Sequence, residues 1–208
     1  MNEEKQLTQQ ESLQLITQMI NQAKNIYYES GMGCLLWGFT NLICFTLAYL
    51  DATVQGFDLP FTPFSLLIIT FVVQLYFDRK EAVKKRTMAT TYLDDVHKYV
   101  WMSFGIAVVL FTIAGGIANI GYVMLPVLLL LFGIPTFISG CVSKFPAMII
   151  GGVICWVFSI IAFLYQGYYA YLLCAAGATA AWIIPGFILQ ERFKKQQRIE
   201  EQKNQHGV

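Results

Sequence analysis

The chain has little charge. Asp, Glu, Lys and Arg make up 13% of its 208 residues, where a soluble domain averages about 25%. The 14 basic residues nearly balance the 13 acidic ones, and the N-terminal segment holds only Lys5 and Lys24 against Glu3, Glu4, Glu11 and Glu29, so no nucleic-acid partner is expected. Histidine occurs only at His97 and His206. The chain therefore lacks the histidine-rich clusters that hold catalytic metals. Five cysteines, Cys34, Cys44, Cys141, Cys155 and Cys174, stand singly, none at the two-residue spacing of a redox pair or zinc knuckle. That excludes a disulfide framework and leaves them as small packing residues. Asp94, Asp95 and His97 come nearest to a ligand set, but no second cluster complements them. The expected role of Asp94 or Asp95 is an N-cap for the helix that follows. No cofactor is indicated.

Charge is also absent in long blocks. Residues 30 to 50, 59 to 77, 99 to 143 and 145 to 190 contain no Asp, Glu, Lys, Arg or His. A hydrolase working inside a membrane pairs serine with histidine, or two aspartates, and none of these blocks supplies either pair. Proton- and ion-coupled carriers hold ionisable groups near the midplane, and these too are missing. The catalytic assignment is accordingly none, and the chain is read as a non-enzyme. Alternation of polar and apolar residues, the mark of a membrane β-barrel, is lacking as well.

What is present is hydrocarbon: 56% hydrophobic residues and a mean hydropathy of +0.54. A helix crossing about 30 Å of lipid at about 1.5 Å per residue needs about 20 residues. The first two blocks hold one span each and the last two hold two each, dividing at Asn119-Ile120-Gly121 and at Gln166-Gly167. The expected fold is all-α and polytopic: six transmembrane helices in three hairpins, near 32–50, 60–77, 99–118, 122–142, 146–165 and 168–189. A cytoplasmic segment 1–31 precedes them and a charged cytoplasmic tail 190–208 follows.

Orientation follows from the rule that Lys and Arg of short loops stay inside. With six spans, all 14 basic residues fall on one side, and the opposite loops keep only Asp51 and Asp58 as charges. Both termini are thus placed in the cytoplasm. Tyr49, Tyr122, Tyr165, Tyr168 and Tyr169 mark the outer headgroup level, and Tyr76, Tyr99, Trp101 and Phe145 the inner one. Trp37, Trp156 and Trp182 lie deeper and are read as packing between helices.

The chain opens on Glu3 and Glu4 rather than on a basic segment followed by a short apolar core, so no secretory signal is expected. Residues 8–29 read as an amphipathic helix. Thr8 and Glu11 have capping-box spacing, and Leu13, Ile16, Ile20, Ala23 and Tyr27 recur at helical intervals, widened by Leu15, Met19 and Ile26. Such a helix suits the inner membrane surface, the underside of the bundle or a partner protein. The stretch Glu11-Ser12-Leu13, Met19-Ile20, Ala23-Lys24, then Gly31, Gly33 and Leu36-Trp37-Gly38, resembles the start of an uncharacterised family of small multi-span bacterial membrane proteins. The resemblance implies a bacterial inner membrane and a multi-span architecture, and assigns no functional residue.

Two basic clusters are candidate contacts for anionic lipid or a cytoplasmic protein: Arg79, Lys80, Lys84, Lys85 and Arg86 beside the second span, and Arg192, Lys194 and Lys195 after the sixth. Gln74, Pro126 and Pro135 are candidates for a pathway or hinge, since prolines within a span free carbonyls and can break a helix. Small residues four apart, Gly177 with Ala181 and Ala176 with Ala180, favour close packing within the bundle or in a homo-oligomer. The preferred function is a sensing, scaffolding or accessory component with a structured inner face; the alternative is an oligomeric small-solute permease or channel. The topology predicts that, in a variant stripped of native cysteines, Lys84→Cys in intact cells resists an impermeant maleimide while Asp58→Cys is labelled. The reverse pattern would overturn it.

Overall fold

The computed structural model describes residues 31–57, 59–85 and 92–205. The amphipathic segment 8–29, Asp58, Arg86 and His206 lie outside them. The described chain is helical, with no strand among the described residues. Its elements are α1 (Met32–Thr53), α2 (Ser65–Lys85), α3 (Tyr92–Ala118), α4 (Gly121–Val142), α5 (Pro146–Leu164), α6 (Tyr169–Ala178) and α7 (Ile184–Gln205), the last two joined by a π-helical turn, Thr179–Ile183. Five helical stretches are long and apolar enough to cross a membrane: Met32–Thr53, Val96–Ala118, Gly121–Val142, Pro146–Leu164 and Tyr169–Lys195. The chain is a multi-pass membrane protein by that measure.

The region expected as a second span, 60–77, is a shorter apolar helix, Ser65–Phe77, at the head of α2. Pro60 and Pro63 account for the late start, because a residue before proline is pushed out of helical geometry and proline donates no N–H. The helix begins through tight turns just after them, with Ser65 N–H donating to Thr62 O at 2.9 Å and Leu66 N–H to Pro63 O at 3.2 Å. The turns expected near Asn119 and Gly167 are present, with left-handed φ of 54° at Asn119 and a φ of 146° at Gly167.

One expectation is corrected. Asp94 and Asp95 lie within α3, which already runs from Tyr92, so neither caps it. The charged tail after residue 190 is helical as far as Gln205, since its Glu-, Gln- and Lys-rich sequence forms helix readily once nucleated by the span. α4 carries Pro126 and Pro135 within one helix, both buried.

Close contacts fix how the helices align. Gly133 and Gly152 face one another where α4 crosses α5, each close enough that an added Cβ would sit 2.9 Å from the other's carbonyl. Gly151 backs onto the π turn at Ala180 and Ala181, and Gly38 of α1 meets Ile183. Gly177 and Ala181 are buried within this packing, while Ala176 is exposed. Removing the side chain lets backbones approach, and in lipid that van der Waals contact is a main source of association. α1, α4, α5 and the α6–α7 helix form the centre. α2 packs on α1, and α3 on α4.

The same contacts gather the basic positions at one end. Gly31 lies against Leu189, Gln74 beside Gly33, and the Arg192 guanidinium 4.9 Å from the Phe145 ring centre. Trp101 reaches Ser139. Arg79, Lys98, Lys144 and Arg192 lie within five residues of these positions and share that end. Asp51 is at the other, accepting from Leu59 N–H at 3.2 Å.

The crossing makes a direct prediction. Gly152→Ala, whose methyl would lie 2.9 Å from Phe137 Cβ and 3.0 Å from its backbone nitrogen, should cost about 1–3 kcal/mol. Gly116→Ala, with open space around it, should cost nothing. Thermal unfolding in detergent compares them, and equal midpoints would refute the crossing.

Candidate functional site

Aromatic and hydroxyl side chains concentrate in the half of the bundle nearest the basic end, where α1, α3, α4 and the π turn meet. Trp182, 2% exposed, donates from Nε1 to Thr136 Oγ1 at 3.0 Å. The Thr136 hydroxyl in turn donates to Phe132 O at 2.8 Å. Trp101 Nε1 donates to Ser139 Oγ at 3.2 Å. These two donor pairs lock α3 and the π turn to successive turns of α4, since Thr136 and Ser139 share one helix face.

Rings fill the space between. Phe132 and Trp182 have centroids 4.7 Å apart, Phe104 and Phe132 5.8 Å, Trp101 and Trp182 6.1 Å, and Phe45 and Phe132 6.4 Å. His97 lies at the rim, 6.0 Å from Trp101. Asn41, also 2% exposed, donates to Trp37 O at 2.8 Å. On the α1–α2 contact the Thr40 and Thr70 hydroxyls are 2.9 Å apart. No buried side-chain nitrogen or oxygen among the described residues lacks a partner. The cluster is thus a satisfied polar-aromatic anchor. His97, at its edge, is its titratable side chain among the described residues.

Side chains of neighbouring helices donate to backbone carbonyls of α4. Ser159 Oγ donates to Pro126 O at 2.8 Å, Trp156 Nε1 to Leu130 O at 3.3 Å, and Cys174 Sγ to Leu125 O at 3.8 Å. In the last span Pro185 offers no N–H to Ala181, and the chain widens into the π turn, with Ile184 N–H donating five residues back to Thr179 O. The Ala180 carbonyl loses its usual donor and is covered by Gly151, where an added Cβ would fall 2.6 Å from it. A weak Cα–H···O contact suits that approach.

The candidate residues separate accordingly. Gln74 lies on α2 beside Gly33, whereas Pro126 and Pro135 are buried in α4, and α2 and α4 are not in contact among the described residues. Arg79, Arg192, Lys194 and Lys195 are exposed at the basic end. Lys80, Lys84 and Lys85 sit on the last turns of α2. No three His, Cys, Asp or Glu side chains group together among the described residues. Cys44, Cys155 and Cys174 are buried in packing, while Cys141 faces outward. A groove of about 390 Å³ between α4 and α5, lined by Leu130, Ile134, Trp156, Ser159, Ile160 and Phe163, is apolar and open to the side.

Sequence reading missed the π turn and the two tryptophan–hydroxyl pairs. Pro185 was the available signal for the first. The second had none, because Trp101 and Ser139 are 38 residues apart. No family model, curated protein or solved structure matches the chain, so no residue role enters from a relative.

The anchor predicts coupling. Thr136→Val leaves the Trp182 N–H unpaired in a dry core and should cost about 1–3 kcal/mol. Trp182→Phe in the same background should then cost less than it does alone, by a double-mutant cycle on unfolding free energies. Strict additivity would contradict the bond.

Proposed function

We propose that this protein is a non-enzymatic sensing, scaffolding or accessory component of a bacterial inner membrane, crossing it six times in three hairpins with both termini in the cytoplasm. Its inner face, comprising the N-terminal segment, the 78–98 region and the C-terminal tail, is offered to a cytoplasmic protein or to anionic headgroups. Homo-oligomers are compatible with this reading.

One observation carries it. Helices at the basic end outrun the apolar spans: α2 is apolar to Phe77 and helical to Lys85, α3 is helical from Tyr92, and α7 runs to Gln205. From Arg192 to Gln205 that is about 20 Å of helix beyond the headgroups at about 1.5 Å per residue. At the opposite end the links from α3 to α4 and from α5 to α6 are tight turns. A protein whose rigid elements protrude on one side only has its work on that side.

For the sixth crossing, the support is alignment along α1. Phe64 meets Phe45 with ring centres 5.8 Å apart, Thr70 meets Thr40, and Gln74 lies by Gly33. The segment from Phe64 to Gln74 therefore shadows α1 over most of its length. Exposed Arg79, Arg192, Lys194 and Lys195 would each contribute about 1 kcal/mol toward an acidic leaflet.

A photoreactive amino acid at Lys195 tests the reading in living cells. The expected result is a discrete protein adduct that disappears when residues 79–98 are deleted. Adducts to lipid alone would leave the anionic-headgroup arm standing, and no inner-face adduct of either kind would refute the proposal.

A further inference from the structure

Lys144 stands where helices usually end on glycine. α4 closes with Phe145 N–H donating to Gly140 O at 2.8 Å and Lys144 N–H to Cys141 O at 3.2 Å, the paired bonds of a Schellman cap. That cap holds Lys144 left-handed, at φ 50°, a backbone state that glycine enters freely and a residue with a Cβ resists. Lysine adds nothing to the cap that glycine lacks, so its presence points to its exposed side chain.

The next residue supports a second cation. Phe145 is 1% exposed and packs with Met148 of α5 and Leu189 of α7, and the Arg192 guanidinium rests 4.9 Å from its ring centre. A guanidinium settled on a ring loses little freedom when it also meets an anion, and its N–H edges bond phosphate oxygens in pairs. Chain neighbours have Cα atoms about 3.8 Å apart, so the Lys144 stem starts beside the ring on which Arg192 lies. Lys195, also exposed, follows Arg192 by three residues on the same face of α7, whereas Glu191 is turned about 100° away around that helix. One turn deeper the surface changes chemistry. Ile150 on α5 and Ile184 on α7 are 58% and 53% exposed, below the half-buried Ala147 and Ile188 that close the seam between the two helices. Cations above exposed hydrocarbon suit a phospholipid better than a soluble phosphate.

We propose that Lys144, Arg192 and Lys195 form a binding site for the phosphodiester of an anionic phospholipid of the inner leaflet, with an acyl chain lying along the α5–α7 seam. The site sharpens the anionic-headgroup reading given above and rests on it, because the basic end must face a leaflet that holds such lipids. A lipid held there braces the α4–α5 turn against the root of the α7 extension.

The test reconstitutes full-length protein with phosphatidylcholine and a minor share of phosphatidylglycerol, and counts by native mass spectrometry the lipids that stay bound. The wild type should retain phosphatidylglycerol in preference, and Arg192→Gln should lower that retention several-fold. Lys144→Gly should lower it as well, while its unfolding midpoint in lipid-free detergent equals or exceeds the wild-type value, since glycine suits the turn. Lys144→Arg should bind as the wild type does. Retention indifferent to both Lys144→Gly and Arg192→Gln overturns the site. So does an equal loss in Arg79→Gln, because α2 is not in contact with α4 or α5 among the described residues and the attraction would then be diffuse. In both cases a surviving preference for phosphatidylglycerol leaves the broader headgroup reading intact. No preference in the wild type removes the site and the headgroup reading together. Displacement of phosphatidylglycerol by excess inorganic phosphate would overturn the lipid assignment in favour of a soluble anion.

Discussion

Hydrocarbon solvates neither a charge nor a bare carbonyl, and the consequences of that fact extend from the composition of this chain to its individual contacts. At the coarsest scale it clears ionisable side chains from long stretches and gathers the basic residues at one end. At the finest it decides what must lie beside each proline. Pro185 disturbs the ladder of its helix, and the Ala180 carbonyl left without its usual donor lies under the bare Cα of Gly151. Ser159 separately donates to the Pro126 carbonyl, and each of these contacts ties one helix to another.

From this follows a division of labour. Four helices cross closely through glycine and alanine, and the Trp182–Thr136 and Trp101–Ser139 anchors tie the π turn and α3 to α4 toward the basic end. Those anchors sit beneath the helical extensions of α3 and α7, so the rigid core and the protruding surface are mechanically continuous. α2 and α3 flank the centre and expose large apolar faces, among them Ile68, Val72, Ile106 and Ile117, as lipid-facing helices do.

Much of the architecture was legible because one-dimensional hydropathy reports the solvent directly. The breaks at Asn119 and Gly167 were readable for a similar reason, as a polar residue beside glycine admits backbone geometry that few residues adopt. Elsewhere local signals competed with long-range ones. The composition of the charged tail leaves its backbone open, and a helix already nucleated by the last span carries on to Gln205. Pro126 and Pro135 are candidate hinge positions in the sequence, yet α4 runs through both, and side chains of α5 and α6 donate to its carbonyls at Leu125, Pro126 and Leu130. The anchor itself was invisible: nothing in the sequence near Trp101 announces Ser139, and nothing near Trp182 announces Thr136.

The six-span proposal requires that the apolar head of α2 traverse the bilayer alongside α1, although Ser65–Phe77 is shorter than the five candidate spans. Spin labels placed singly along residues 65–77 in lipid bilayers measure this through the ratio of oxygen to water-soluble nickel collision rates. The account predicts a ratio that climbs from both ends to a maximum near Thr70 and Phe71, with the helical period superimposed. A profile with the helical period but no change in mean depth would describe a helix lying along the surface, and would contradict it.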